Sequence, residues 1–185
     1  MKQVRQGINA AALWALLAGT PVLAAEPAAP PTPPDTVISP DRITRAEATR
    51  IAQASLEECA RRGMPASVVV VDSSGFQRAA FSDDNAKFVG LGTSARKAAS
   101  VLAFKVSTHA LQDRVQSDKA FADQYGKDAR YHFSAGGLPI YKQGVLVAVI
   151  AVGGARNIDE ECAVAGLKTL SWATTEPGAK AAPVK

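Results

Sequence analysis

The residues of this 185-residue chain with chemistry to offer are few: two histidines, two cysteines, and adjacent carboxylates such as Asp83/Asp84 and Glu160/Glu161. His109 and His132 are too few for a histidine metal cage, but one of them is enough for a single axial ligand to a haem. His109 falls in a polar helical stretch with Gln112 and Asp113, where a solvated side chain is the plainer explanation. His132 lies between Tyr131 and Phe133, just ahead of Gly136-Gly137. That aromatic, glycine-flanked setting suits a flat apolar ligand; a half-buried strand histidine is its alternative. Asp83/Asp84 and Glu160/Glu161 sit at a loop and a helix start, where solvation and the helix dipole account for them better than acid–base catalysis. No G-x-S-x-G elbow or H-E-x-x-H motif is present. Gly90 to Ala95 matches G-x-G-x-x-A, but polar residues precede it where a dinucleotide site needs a buried strand. Nothing in the pattern requires an enzyme.

The elements that must position these groups follow from periodicity. Thr44 and Glu47 form a T-x-x-E capping box; Ala48, Ile51, Ala52, Leu56 and Cys59 then share one helical face, and Gly63 with Pro65 stops the helix. Ser67 to Val71 is a β-branched run that turns at Asp72-Ser73-Ser74-Gly75 and resumes from Phe76 to Phe81, a hairpin whose first strand is buried on both faces. A helix is expected over 87–104, short helices over 107–116 and 119–125, and a short strand at Tyr131-His132-Phe133. A second hairpin runs from Leu138 through Gln143-Gly144 to Val152, and Asn157 with Glu160 is expected to cap a last helix reaching Trp172. Helix, hairpin, helices, hairpin, helix is an α+β order, because strands joined by short turns pair antiparallel.

Cys59 lies near the end of the first helix and Cys162 in the first turns of the last. If those helices pack antiparallel on one sheet face, both sulfurs reach the same edge, and a Cys59–Cys162 disulfide is expected in an oxidising compartment. Two buried free thiols are the alternative.

The compartment is read from the start of the chain. Residues 1–25 carry Lys2 and Arg5, an Ala/Leu-rich run and small residues before Ala25, the pattern of a signal peptide cleaved after Ala24 or Ala25, with an uncleaved anchor as the competing reading. The expected location is periplasmic or secreted. Residues 26–40 form a Pro-rich linker, 41–173 the folded domain and 174–185 a flexible tail. Net charge is +4, but without the first 25 residues 19 bases face 17 acids. With no aromatic-interleaved basic stripe either, nucleic acid is not an expected partner. A chain 47% hydrophobic and 21% charged is neither disordered nor polytopic.

Taken in order, Ser67 to Gly75, Ala95-Arg96-Lys97-Ala98-Ala99, Gly136-Gly137-Leu138-Pro139-Ile140, Gly144 through Gly153-Gly154-Ala155, and Asp159-Glu160-Glu161-Cys162 with Ala165-Gly166 resemble the GlcG/HbpS-type haem-binding family. The resemblance covers roughly residues 43–172. It implies a profilin-like fold: a five-stranded antiparallel sheet with flanking helices, the terminal helices on one face. It also implies homo-oligomers, and for exported members haem binding, in some cases as redox-responsive accessories to membrane sensors. The family shares no obvious axial ligand. On this resemblance the chain is expected to be an exported, non-enzymatic haem-binding protein, with His132 as first choice for the iron and His109 as a second candidate. Tyr131 would lie against the macrocycle, and Lys97 or Arg130 would pair its propionates. A small-molecule or organic-acid accessory, enzymatic or not, is the rival use of the same pocket. Residues 119–130 depart from the family pattern, being longer and more charged.

Overall fold

Helix α1, Arg45–Arg61, starts and stops on the expected signals. The backbone N–H of Glu47 donates to Thr44 Oγ1 at 3.2 Å, and Thr44 N–H donates to Glu47 Oε2 at 2.9 Å. At the other end Gly63 has φ +71°, and Met64 N–H and Gly63 N–H donate back to the carbonyls of Cys59 and Ala60. This Schellman stop needs a left-handed residue, which glycine supplies without strain. The computed structural model describes residues 42–178. The expected signal peptide, the linker and the last residues of the tail lie outside them.

Strands β1, Ser67–Asp72, and β2, Gln77–Ser82, form the first hairpin; β3, Gly137–Lys142, and β4, Val145–Gly153, form the second. The sheet order is β2-β1-β4-β3, antiparallel throughout, with Val70 opposite Ile150 and Leu138 opposite Ile150 across the other edge of β4. Every residue of β1 is buried because the sheet is covered on both sides. Val68, Val70, Ile150 and Val152 pack with Ile51, Cys59 and Cys162 of α1 and α5 (Asp159–Leu167) on one face. On the other, Val69, Val71, Val149 and Ala151 meet Ala98 and Val101 of α2, Gly90–Phe104. The two terminal helices thus share a face, as expected. Among the described residues no helix is long and apolar enough to cross a membrane.

Three expectations are corrected. The sheet has four strands, not five: Tyr131-His132-Phe133 is irregular, and the position beyond β3 holds only a one-residue bridge between Tyr141 and Thr174. The 131–135 backbone joins no strand, and helix side chains bond it and the first residue of β3. Ser100 Oγ accepts from His132 N–H at 2.9 Å, Gln112 Oε1 from Ala135 N–H at 3.0 Å, and Thr108 Oγ1 from Gly137 N–H at 2.8 Å. The last helix ends at Leu167, short of Trp172. Its start is set by a 3-10 turn, Arg156–Ile158, and by Asp159 Oδ1, which accepts from Ala155 N–H at 2.8 Å; Asn157 does not cap it. The Gly90-x-Gly92 segment follows a polar loop, and Gly90 serves packing: a Cβ there would lie 2.7 Å from Ser67 Oγ.

Candidate functional site

Helices α1 and α5 run antiparallel in very close contact. A Cβ on Gly166 would stand 2.1 Å from Ser55 Oγ and 2.3 Å from the Ile51 carbonyl oxygen. One turn along each helix from that contact, Cys59 and Cys162 are joined by a disulfide, with Cα atoms 5.5 Å apart. Alongside this helix pair, next to the bridge, lies an open groove of about 580 Å³, within the range of small-molecule sites. Its walls are Glu58, Arg61 and Arg62 from the end of α1, and Glu160, Glu161, Val164, Ala165 and Lys168 from α5 and its end. His109 of α3 (Thr108–Ser117), Ala135 and Asn157 complete it.

The charges in the groove are mixed. Glu58 pairs with both Arg61 and Arg62. His109 Nδ1 lies 3.4 Å from Glu160 Oε1 and 3.3 Å from Oε2. Oε2 is buried and accepts no hydrogen bond of good geometry. Lys168 and Glu161 have no partner among the described residues.

The expected site residues do not converge. His132 is half-buried on the flank of α2, where burial, then the charges of Lys97 and Arg96, hold its imidazole below the ordinary histidine pKa. Its aromatic neighbours turn elsewhere. Tyr131 and Phe133 stack 5.9 Å apart in a cluster with Phe104, Phe121 and Tyr125, centred on Phe104. The charged 119–130 stretch supplies two of these rings through α4, Lys119–Tyr125. Arg130 is exposed, paired with Asp128 at 2.6 Å and lying over the Tyr131 ring. Lys97 is wholly buried, and Nζ donates to the carbonyls of Ala135 and Val152 and to Asp159 Oδ2 at 2.6, 2.9 and 2.7 Å. Its three donors are spent inside the fold. Of the five, only His109 lines the groove.

The groove's cations, Arg61, Arg62 and Lys168, were missed from sequence. Their one signal was the basic ending of a helix next to a cysteine. Among the described residues no three histidine, cysteine, aspartate or glutamate side chains could hold a bare metal ion.

A four-stranded antiparallel sheet between helix layers, with a polar groove opening beside the paired terminal helices, defines an α+β domain with a site of small-molecule size. The chain belongs to the HbpS-like family, described as haem degrading protein HbpS-like, whose model matches residues 43–168. Among solved structures it is similar to HbpS, at 30% identity over 70% of this chain and 90% of that one, with a TM-score of 0.63. A double mutant of the Streptomyces reticuli HbpS matches at 28% identity over 83% and 98%, with a TM-score of 0.63. A PduOC:haem complex shares the fold at 19% identity over 73% and 99%, with a TM-score of 0.66. No curated protein sequence matches the chain.

Proposed function

We propose that this protein binds haem in the groove between α1, α3 and α5, and that it stores or carries the cofactor without altering it. The observation that carries the reading is that one of the chain's two histidines, His109, lines a groove that also holds three bases. The donor set fits: an imidazole for the iron, Arg61, Arg62 and Lys168 for two propionates, and Val164, Ala165 and Ala135 for macrocycle edges. Orphaned Glu160 Oε2 beside His109 also marks a site whose polar groups are not all satisfied from within the chain. Bound haem would supply a redox-active iron, while the chain's own residues hold the carboxylates and orient the imidazole. Family membership and the haem complex of a structural neighbour support the ligand class. Export behind a cleaved signal, assembly into homo-oligomers and service to a membrane sensor belong to the same proposal.

Titration of the purified protein with hemin, followed in the Soret region, tests it. One-to-one saturation that His109→Ala weakens and His132→Ala leaves unchanged supports the groove. The reverse pattern returns the iron to His132, and no spectral change rejects haem. A Soret band that forms and then decays in air with a reductant would report turnover of the bound haem rather than storage.

The polarity of the lining favours one second reading. Eight of its eleven residues carry polar side chains, which suits a small organic acid held by the same bases. Protection by a dicarboxylate against thermal unfolding, without hemin binding, would support it.

A further inference from the structure

The His109–Glu160 pair differs from an ordinary surface ion pair in how its two members are held. Each directly follows a buried anchor. Thr108 is wholly buried and accepts from Gly137 N–H at 2.8 Å, which fixes the first turn of α3. Asp159 is 5% exposed and is gripped by Lys97 Nζ and by Ala155 N–H, which fixes the first turn of α5. His109 and Glu160, 51 residues apart, are therefore carried on two backbones that cannot drift independently. Glu160 is the more enclosed member, with 27% of its side chain exposed against 58% for His109. Both of its oxygens lie near the same ring nitrogen, and Nε2 has no polar contact among the described residues.

We propose that Glu160 is the positioning residue of the groove: its carboxylate takes the Nδ1–H of His109, fixing the ring's tautomer and leaving Nε2 as the basic nitrogen for an electron-pair acceptor such as haem iron. The inference rests on the groove being the haem site. Its chemistry is general. A carboxylate on one imidazole nitrogen selects which nitrogen keeps the lone pair, orients the ring and raises its basicity as a ligand.

The first test needs no haem. Long-range 15N–1H spectra of the full chain above the histidine titration range should show the His109 ring as the Nδ1–H tautomer. In Glu160→Ala the ring should shift toward the Nε2–H form, while Glu57→Gln, an exposed acid outside the groove, changes nothing. Hemin affinity should then fall about 10–100-fold in Glu160→Ala, with the Fe–His stretching band of the ferrous form moving to lower frequency. Glu160→Gln, which keeps an acceptor oxygen but no charge, should retain the tautomer and lower that frequency less, and it serves if the alanine variant does not fold. An unchanged tautomer in Glu160→Ala, or wild-type affinity and stretching frequency with hemin bound, overturns the proposal. Failure of hemin to bind the wild-type chain overturns the haem reading instead, and the tautomer result still decides the pairing.

Discussion

Lys97 on α2 and Asp159 at the start of α5 form an ion pair of 2.7 Å that passes the end of the sheet and joins the helices of its two faces. Both side chains are buried. Burial lowers the lysine's pKa and raises the aspartate's, and their mutual attraction opposes both shifts. Two backbone carbonyls complete the lysine's shell, and one of them, Ala135, belongs to the segment that enters the groove. A pair so placed keeps the two layers and the groove wall in one register.

Removing one partner alone should therefore cost more than removing both charges. Lys97→Met leaves a buried carboxylate unpaired and should lower stability by about 3–5 kcal/mol. Lys97→Met with Asp159→Asn should recover part of that loss, since the amide oxygen can still accept from Ala155 N–H. Urea unfolding midpoints of the three proteins measure it; equal losses for the single and double variants would show that the charge is not the cause.

Asp72 should make the fold acid-sensitive. Burial alone would raise its carboxyl pKa, but hydrogen bonds from Arg78 and from Phe76 and Ser74 N–H outweigh this and hold it below its ordinary 3.8. A carboxylate depressed in the folded state lends stability that is complete above the unfolded pKa and is lost as pH falls through the folded one. The urea midpoint should thus drop on acidification below pH 3.8. Asp72→Asn should be less stable at pH 7 and lose less on acidification.

The disulfide should be structural. It closes a loop with a sequence separation of 103, and both cysteines are wholly buried. Cys59→Ser with Cys162→Ser should cost about 2–5 kcal/mol. Dithiothreitol should reduce the native bond only as fast as the protein opens, so thiol trapping with and without sub-denaturing urea checks the claim. Rapid reduction without urea would contradict it.

Two helical glycines should respond with opposite sign. Gly166→Ala forces a Cβ against the Ile51 carbonyl and should destabilise by about 1–3 kcal/mol or more, with or without Ser55→Ala. Gly92 in α2 meets nothing within 4 Å, so Gly92→Ala should stabilise by up to about 1 kcal/mol. Thermal unfolding of both variants decides it.

What this sequence determined by itself is what short-range physics writes into a chain. The Thr44–Glu47 box, the Gly63 stop and the β-branched run from Val68 to Val71 specify their own elements through neighbours a few residues away. The two hairpins, being turn-linked, specify antiparallel pairing, and from the packing of the end helices even the partner of Cys59 could be inferred. The site was less legible. His132 looked better than His109 because its neighbours in sequence are aromatic, but Tyr131 and Phe133 turn into the cluster around Phe104, and His132 does not follow them. Lys97 looked like a free cation until packing put three acceptors around it, the carboxylate among them 62 residues away. The missing fifth strand has the same origin, since Ser100 and Gln112 reach from helices to bond a backbone that joins no strand. A groove is a shape between elements, and its chemistry depends on side chains distant in the chain whose directions only the packed fold sets.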